Sequence, residues 1–144
     1  MPTVAVGAVV IDRAATPPRI LLVQRGRPPG VGLWTLPGGK VALGEALATA
    51  VEREVREETG VVVTCGALVE VIERVIAAEP PATGLYHYVI LDYLATCAGA
   101  PPPLAGDDAM AAAWVAWPDL ATLPLTTGLM PVIEHAARLA AGAA

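Results

Sequence analysis

GKVALGEALATAVEREVREETGV, residues 39–61, is the stretch from which the rest of the chain can be read. A Gly-rich turn, Pro37-Gly38-Gly39, leads into it. From Glu45 to Thr59 it contains neither Pro nor Gly, and Gly60 stops it. That pattern predicts a helix of about four turns with an acidic start and a glycine just past its end. At about 100° per residue, Leu47, Ala50, Val51 and Val55 form one apolar stripe. Glu54 and Glu58 fall inside that stripe and Glu57 lies on its edge. A solvated acidic face would put its carboxylates opposite the apolar side. An isolated buried carboxylate costs several kcal/mol unless it is compensated. One Arg does not neutralise three converging carboxylates, whereas a hard divalent cation such as Mg²⁺ does, through oxygen ligands of this kind. The alternative is an ordinary charged helix, in which Glu52 with Arg56 and Arg53 with Glu57 form i,i+4 ion pairs.

The spacing is more specific than the wheel. It reads Gly, five residues, Glu, seven residues, then Arg-Glu-apolar-any-Glu-Glu-any-Gly-apolar, at Gly39, Glu45, Arg53, Glu54, Val55, Glu57, Glu58, Gly60 and Val61. Every fixed position resembles the signature of the Nudix hydrolase family, over 23 of 144 residues. Gly32-Leu33-Trp34-Thr35-Leu36-Pro37-Gly38 resembles a common lead-in to that signature. The resemblance implies an α/β/α sandwich, a single Nudix domain over residues 1–144, and Mg²⁺-dependent hydrolysis, with Mn²⁺ as a substitute ion. The bond cleaved would be the pyrophosphate linkage of a nucleoside diphosphate joined to another group. It also implies Glu54 and Glu58 as main metal ligands, with Glu57 sharing the site and a carbonyl of Gly38 or Gly39 adding an oxygen. Arg53 then orients the glutamates, and Glu45 fixes the start of the helix, aided by the macrodipole. Glu54, Glu57 and Arg53 are the catalytic candidates. The general base is either a signature glutamate or an acid of a distant loop, for which Asp107 and Asp108 are the candidates.

Bulk properties agree with a small enzyme. The chain is 55 % hydrophobic with no Phe, and three Trp and three Tyr supply its aromatic surface. Net charge is −5, and five of the fourteen acids lie between Glu45 and Glu58. No Lys/Arg cluster marks a nucleic-acid polymer as a partner. A polyphosphate substrate is still compatible, because bound cations invert the local field. Cys65 and Cys97 lack metal-ligand spacing and read as small core residues of a cytoplasmic protein. No positive charge precedes apolar residues 3–11, which argues against a signal peptide, and no apolar run reaches membrane-span length. The hydrophobic content permits a homodimer.

Outside the signature, strands are expected at residues 3–11, 20–24 (antiparallel to the first), 61–76 with a break near Gly66, 85–97 and 111–117. A helical turn is expected at 118–123 and a closing helix at 127–141. The order suits a mixed sheet between helices. Arg25, at a strand end, is a candidate for binding substrate phosphate together with Gly38 and Gly39. Trp34 is expected to pack beneath the Gly turn. Glu70 and Glu73 read as solvated, His87 as a hydrogen-bonded structural residue and His135 as a surface residue. The strand HYVILDY and the Ala-rich Trp strand resemble MutT-like and ADP-ribose-pyrophosphatase-like members, so an ADP-ribose-like substrate is favoured and a (d)NTP is second. A nucleotide sensor without turnover and a plain helical scaffold are the other classes.

Overall fold

A computed structural model describes residues 1–142. Seven strands make one mixed sheet: β1 (Thr3–Asp12), β2 (Arg19–Arg25), β3 (Trp34–Thr35), β4 (Gly38–Lys40), β5 (Thr64–Ala77), β6 (Leu85–Thr96) and β7 (Ala109–Ala116). Helix α1 (Leu47–Thr59) lies between β4 and β5, and a 3₁₀ turn (Trp117–Thr122) and helix α2 (Leu129–Ala140) close the chain. The main path runs β3-β2-β1-β6-β5, with β4 paired to β1 and β7 to β2. β1 and β6 are parallel and the other pairs antiparallel.

Alternation along the central strands divides the core into two layers. Val6, Ala8 and Val10 of β1 and Leu21 of β2 face α1, where Ala50, Val51 and Val55 cover them. Val9, Ile20 and Leu22 face α2, against Leu129, Val132, Ile133 and Ala136. Each fully buried Val, Leu or Ile contributes about 1.5–3 kcal/mol. The expected α/β/α sandwich is therefore present. No described helix is long and apolar enough to cross a membrane.

Some expectations hold, among them the antiparallel pairing of β1 with β2, the break near Gly66 and the stop at Gly60, and others are corrected. Pro37-Gly38-Gly39 does not end as a turn: Gly38 and Gly39 open strand β4, paired with Gly7 and Val6. The absence of a side chain permits this, since a Cβ on Gly38 would collide with Val6 O. Helix α1 begins at Leu47, not Glu45, because the Glu45 carboxylate turns back to accept from Ala42 N at 3.0 Å. The far end is as expected, with Gly60 at φ 73° donating to Arg56 O at 2.8 Å. β2 meets β1 through only two register pairs, and its principal partner is β7. The break near Gly66 is a double register shift between Cys65 and Glu70. α2 starts at Leu129, after Gly128 at φ 81°. Trp34 packs on the α2-side core, held by its backbone to Pro124 and Thr126. Glu52 does not pair with Arg56; its carboxylate accepts from Cys65 N at 2.9 Å and ties α1 to β5. Glu73 lies 2.9 Å from His87 Nε2 and Glu70 3.0 Å from His135 Nδ1, so neither acid is merely solvated. Cys65 and Cys97 are free thiols, partly buried at the edge of the α1-side core.

Candidate active site

Helix α1 carries the acids on the side that meets β4. Glu54 is 9 % exposed and Glu58 half-buried, while Glu57 is exposed. Arg53 organises them. Its Nε and one terminal nitrogen grip Glu45 at 2.7 and 2.9 Å, a bidentate pair that also closes the loop before the helix. The other terminal nitrogen donates to Glu54 at 2.8 Å and Glu57 at 3.1 Å. The Arg53 guanidinium, with help from Ala42 N–H, holds the Glu45 carboxyl well below its usual range, at about 2. Glu54 is displaced upward despite Arg53, because burial dominates and Glu57 and Asp107 add like charge.

β4 supplies the facing wall. Gly38 N donates to Glu58 at 2.7 Å. A Cβ on Gly39 would stand 2.5 Å from Glu54 Oε2, so only glycine admits that carboxylate against the strand. Burial pushes the Glu58 carboxyl up to about 7; the Gly38 hydrogen bond opposes this, while Glu54 and Asp107 reinforce it.

A loop from the far end of the chain completes the site. Leu104 N and Gly106 N donate to Thr59 O and Glu58 O, both at 2.9 Å, and so cap carbonyls that the helix leaves unpaired. Gly106 sits so close that a Cβ would collide with Glu57 O. The next residue, Asp107, adopts φ 54° and brings its carboxylate to Glu54 and Glu57, with one oxygen from each of the three within 4.8 Å of the others. Asp108 turns the other way and pairs with Arg27 at 2.7 Å. Sequence reasoning left these two aspartates equivalent, and the loop's attachment to α1 separates them. Arg25 lines the same cavity, with its Nε donating to Pro29 O at 2.6 Å.

The residues fit a divalent cation. All donors are hard oxygens, and of these acids only Glu54 and Glu57 reach the Arg53 guanidinium, which Glu45 already engages. Glu54, Glu58 and Asp107 border a cavity of about 880 Å³ floored by the sheet and bounded by α2. Within it Tyr86 and Tyr88 stack with centroids 6.2 Å apart and planes at 8°. Asp92, 5 % exposed, also faces it. Sequence reading missed Asp92 as a site residue, although an acid alternating with Tyr86, Tyr88 and Ile90 on one strand face is a legible signal. A smaller apolar cleft of about 440 Å³, between Pro17, Pro18, Trp117 and the end of α2, shares no lining residue with this cavity.

A family model described as NUDIX domain matches residues 1–136. A curated relative, the putative 8-oxo-dGTP diphosphatase 2 of Mycobacterium tuberculosis, is 50 % identical over 58 residues, 40 % of this chain and 38 % of that protein. The ADP-ribose pyrophosphatase of Methanocaldococcus jannaschii is 34 % identical over 106 residues, 74 % of this chain and 57 % of that protein. These matches span less than two thirds of either relative's length. The crystal structure of a MutT NUDIX hydrolase from Burkholderia pseudomallei superposes with a TM-score of 0.73 at 34 % identity, covering 94 % of this chain and 98 % of that one.

Proposed function

Because this chain belongs to the NUDIX family, whose relatives include named pyrophosphatases, we propose that it hydrolyses the pyrophosphate bond of a small nucleotide with Mg²⁺, and that an ADP-ribose-like molecule is its preferred substrate. The observation that carries the reading is the convergence of Glu54, Glu57 and Asp107 within 4.8 Å at the edge of a nucleotide-sized cavity. Glu54, Glu57 and Glu58 would hold the metal, with the Gly38 carbonyl as a further oxygen; Mn²⁺ suits the same donors. A divalent ion held there would supply charge neutralisation for the phosphates and a lowered pKa for a bound water.

The chain's own residues do the rest. Arg53 keeps the glutamates aligned and Arg25 receives a phosphate oxygen. Gly38 and Gly39 line the cavity beside the acids and offer backbone groups to the phosphate chain. Arg53 donates to Glu54 and Glu57 but not to Asp107, so Asp107 is the acid most available to take the proton from the attacking water. Water adds to one phosphorus, the bridging P–O bond breaks, and the leaving phosphate departs with the electron pair.

The 34 % identity to the M. jannaschii ADP-ribose pyrophosphatase supports the ADP-ribose reading. The 50 % identity to the M. tuberculosis relative supports the second, a house-cleaning (d)NTP pyrophosphohydrolase. A nucleotide panel with Mg²⁺, resolved by product, tests both. AMP with ribose 5-phosphate supports the first, and a nucleoside monophosphate with pyrophosphate the second. Tight binding of a nucleotide with no product would replace the enzyme by a sensor.

A further inference from the structure

Across the cavity floor, one row of the sheet reads Glu70, Asp92, Gly7 and Gly38, on β5, β6, β1 and β4. The two glycines put no side chain of their own along that row, which spans about two strand spacings, roughly 9.5 Å, from Asp92 to Gly38. Asp92 stands at the edge of that gap. Its carboxylate lies over Gly7, so that a Cβ there would collide with Asp92 Oδ1. It is 5 % exposed, yet its residual opening is into the cavity. No hydrogen bond or ion pair from the described residues reaches it; its surroundings act on it through burial and the charge of Glu70 alone.

Neighbouring acids are engaged elsewhere, Glu70 with His135 and Glu58 with Gly38 N–H. The same cavity is lined by the apolar Leu36, Ile72, Ile90, Leu129 and Val132 as well as by Tyr88 and Thr126. A few polar groups set among apolar ones are the usual design for orienting a ligand. With no protein donor on it, the Asp92 carboxylate takes its hydrogen bonds from whatever occupies the cavity, water or a ligand's donor. Gly38, which holds Glu58 at the acidic end, lies two strands away, so a ligand with its phosphates at the acids extends its nucleoside over Gly7 toward Asp92.

We infer that Asp92 is a specificity residue that hydrogen-bonds an N–H or O–H donor on the nucleoside part of the substrate. The inference rests on the pyrophosphohydrolase reading only for the direction in which the phosphates point. Three sources have this chemistry, an exocyclic amine of the base, the ring N1–H of a 6-oxopurine and a sugar hydroxyl.

Calorimetric binding of AMP, GMP, IMP and 2′,3′-dideoxy-AMP, with Mg²⁺, to wild type, Asp92→Leu and Asp92→Asn tests the idea. Asp92→Leu is expected to bind AMP or GMP at least tenfold more weakly while melting no lower than wild type. The loss vanishes with IMP if the amine is the source, is confined to GMP and IMP if the ring N1–H is, and vanishes with the dideoxy ligand if a hydroxyl is. Asp92→Asn, which keeps an acceptor, stays within about threefold. An equal loss for all ligands, no loss at all, no measurable binding to wild type, or lowered melting in both variants overturns the assignment. Nucleotide discrimination lost in Asp92→Leu, in a protein that hydrolyses nothing on the panel, would leave Asp92 in place and remove the hydrolase.

Discussion

Asp92 and Glu57 show how differently two carboxylates behave when one is buried and the other is not. Asp92 keeps its proton up to about pH 6, because burial and the neighbouring charge of Glu70 disfavour ionisation, whereas the unfolded chain releases it near 3.8. Between those values the folded state binds more protons, so stability falls as pH rises through that window and stays lower above it. The ceiling on the effect is roughly 3 kcal/mol. Asp92→Asn should therefore melt higher than wild type at pH 8, and the two should converge as pH approaches 4; thermal melts across that range check it. Glu57 and Asp107 are exposed, so Glu57→Gln and Asp107→Asn should each leave stability within about 0.5 kcal/mol. Loss of Asp107 as base should lower kcat by about 10²–10⁴-fold. A steady-state assay beside a denaturation curve reads both, and a fully active Asp107→Asn would remove the proposed base.

At the scale of the element, α1 is a scaffold whose two ends are finished by other parts of the chain. Its start is closed by Glu45 and Arg53, and its last carbonyls accept from the loop at Leu104 and Gly106. Thr59, fully buried, donates to Val55 O at 2.6 Å and accepts from Val61 N at 3.2 Å. Thr59→Val should cost about 1–3 kcal/mol by leaving Val61 N–H without a partner, measured as a shift in denaturant midpoint. Gly106→Ala pushes the loop off Glu57 O and carries Asp107 with it. The expected result is at least a tenfold fall in kcat with helix content by circular dichroism unchanged.

For the whole molecule, the crowding of acids means that the folded state without cation holds unrelieved repulsion. A divalent ion that binds only the folded state stabilises it by about 2.7 kcal/mol at a hundred times its Kd. Mg²⁺ should therefore raise the melting temperature of the wild type by on the order of 10 °C. EDTA should reverse the rise, and a Glu54→Gln/Glu57→Gln double variant should show little of it. A melting temperature indifferent to Mg²⁺ and Mn²⁺ in the wild type would remove the metal from the reading.

What the sequence determined alone is what repeats within a few residues. The 3.6-residue period put Glu54 and Glu58 among Ala50, Val51 and Val55, the signature spacing named the family, and two-residue alternation outlined the long strands. Interactions between i and i+4, or across alternate residues of a strand, are written locally and survive without the rest of the chain. What only the tertiary structure decided is where distant pieces meet. Asp107 joins the glutamates and Asp108 does not because the loop before β7 docks on the end of α1, nearly fifty residues earlier in the chain. Glu52 serves Cys65 rather than Arg56, and Gly38 becomes part of a strand because β1 lies beside it. Asp92 becomes a buried acid only when β1 pairs beside β6 and its carboxylate settles over Gly7, since burial is a property of neighbours and no residue carries it alone.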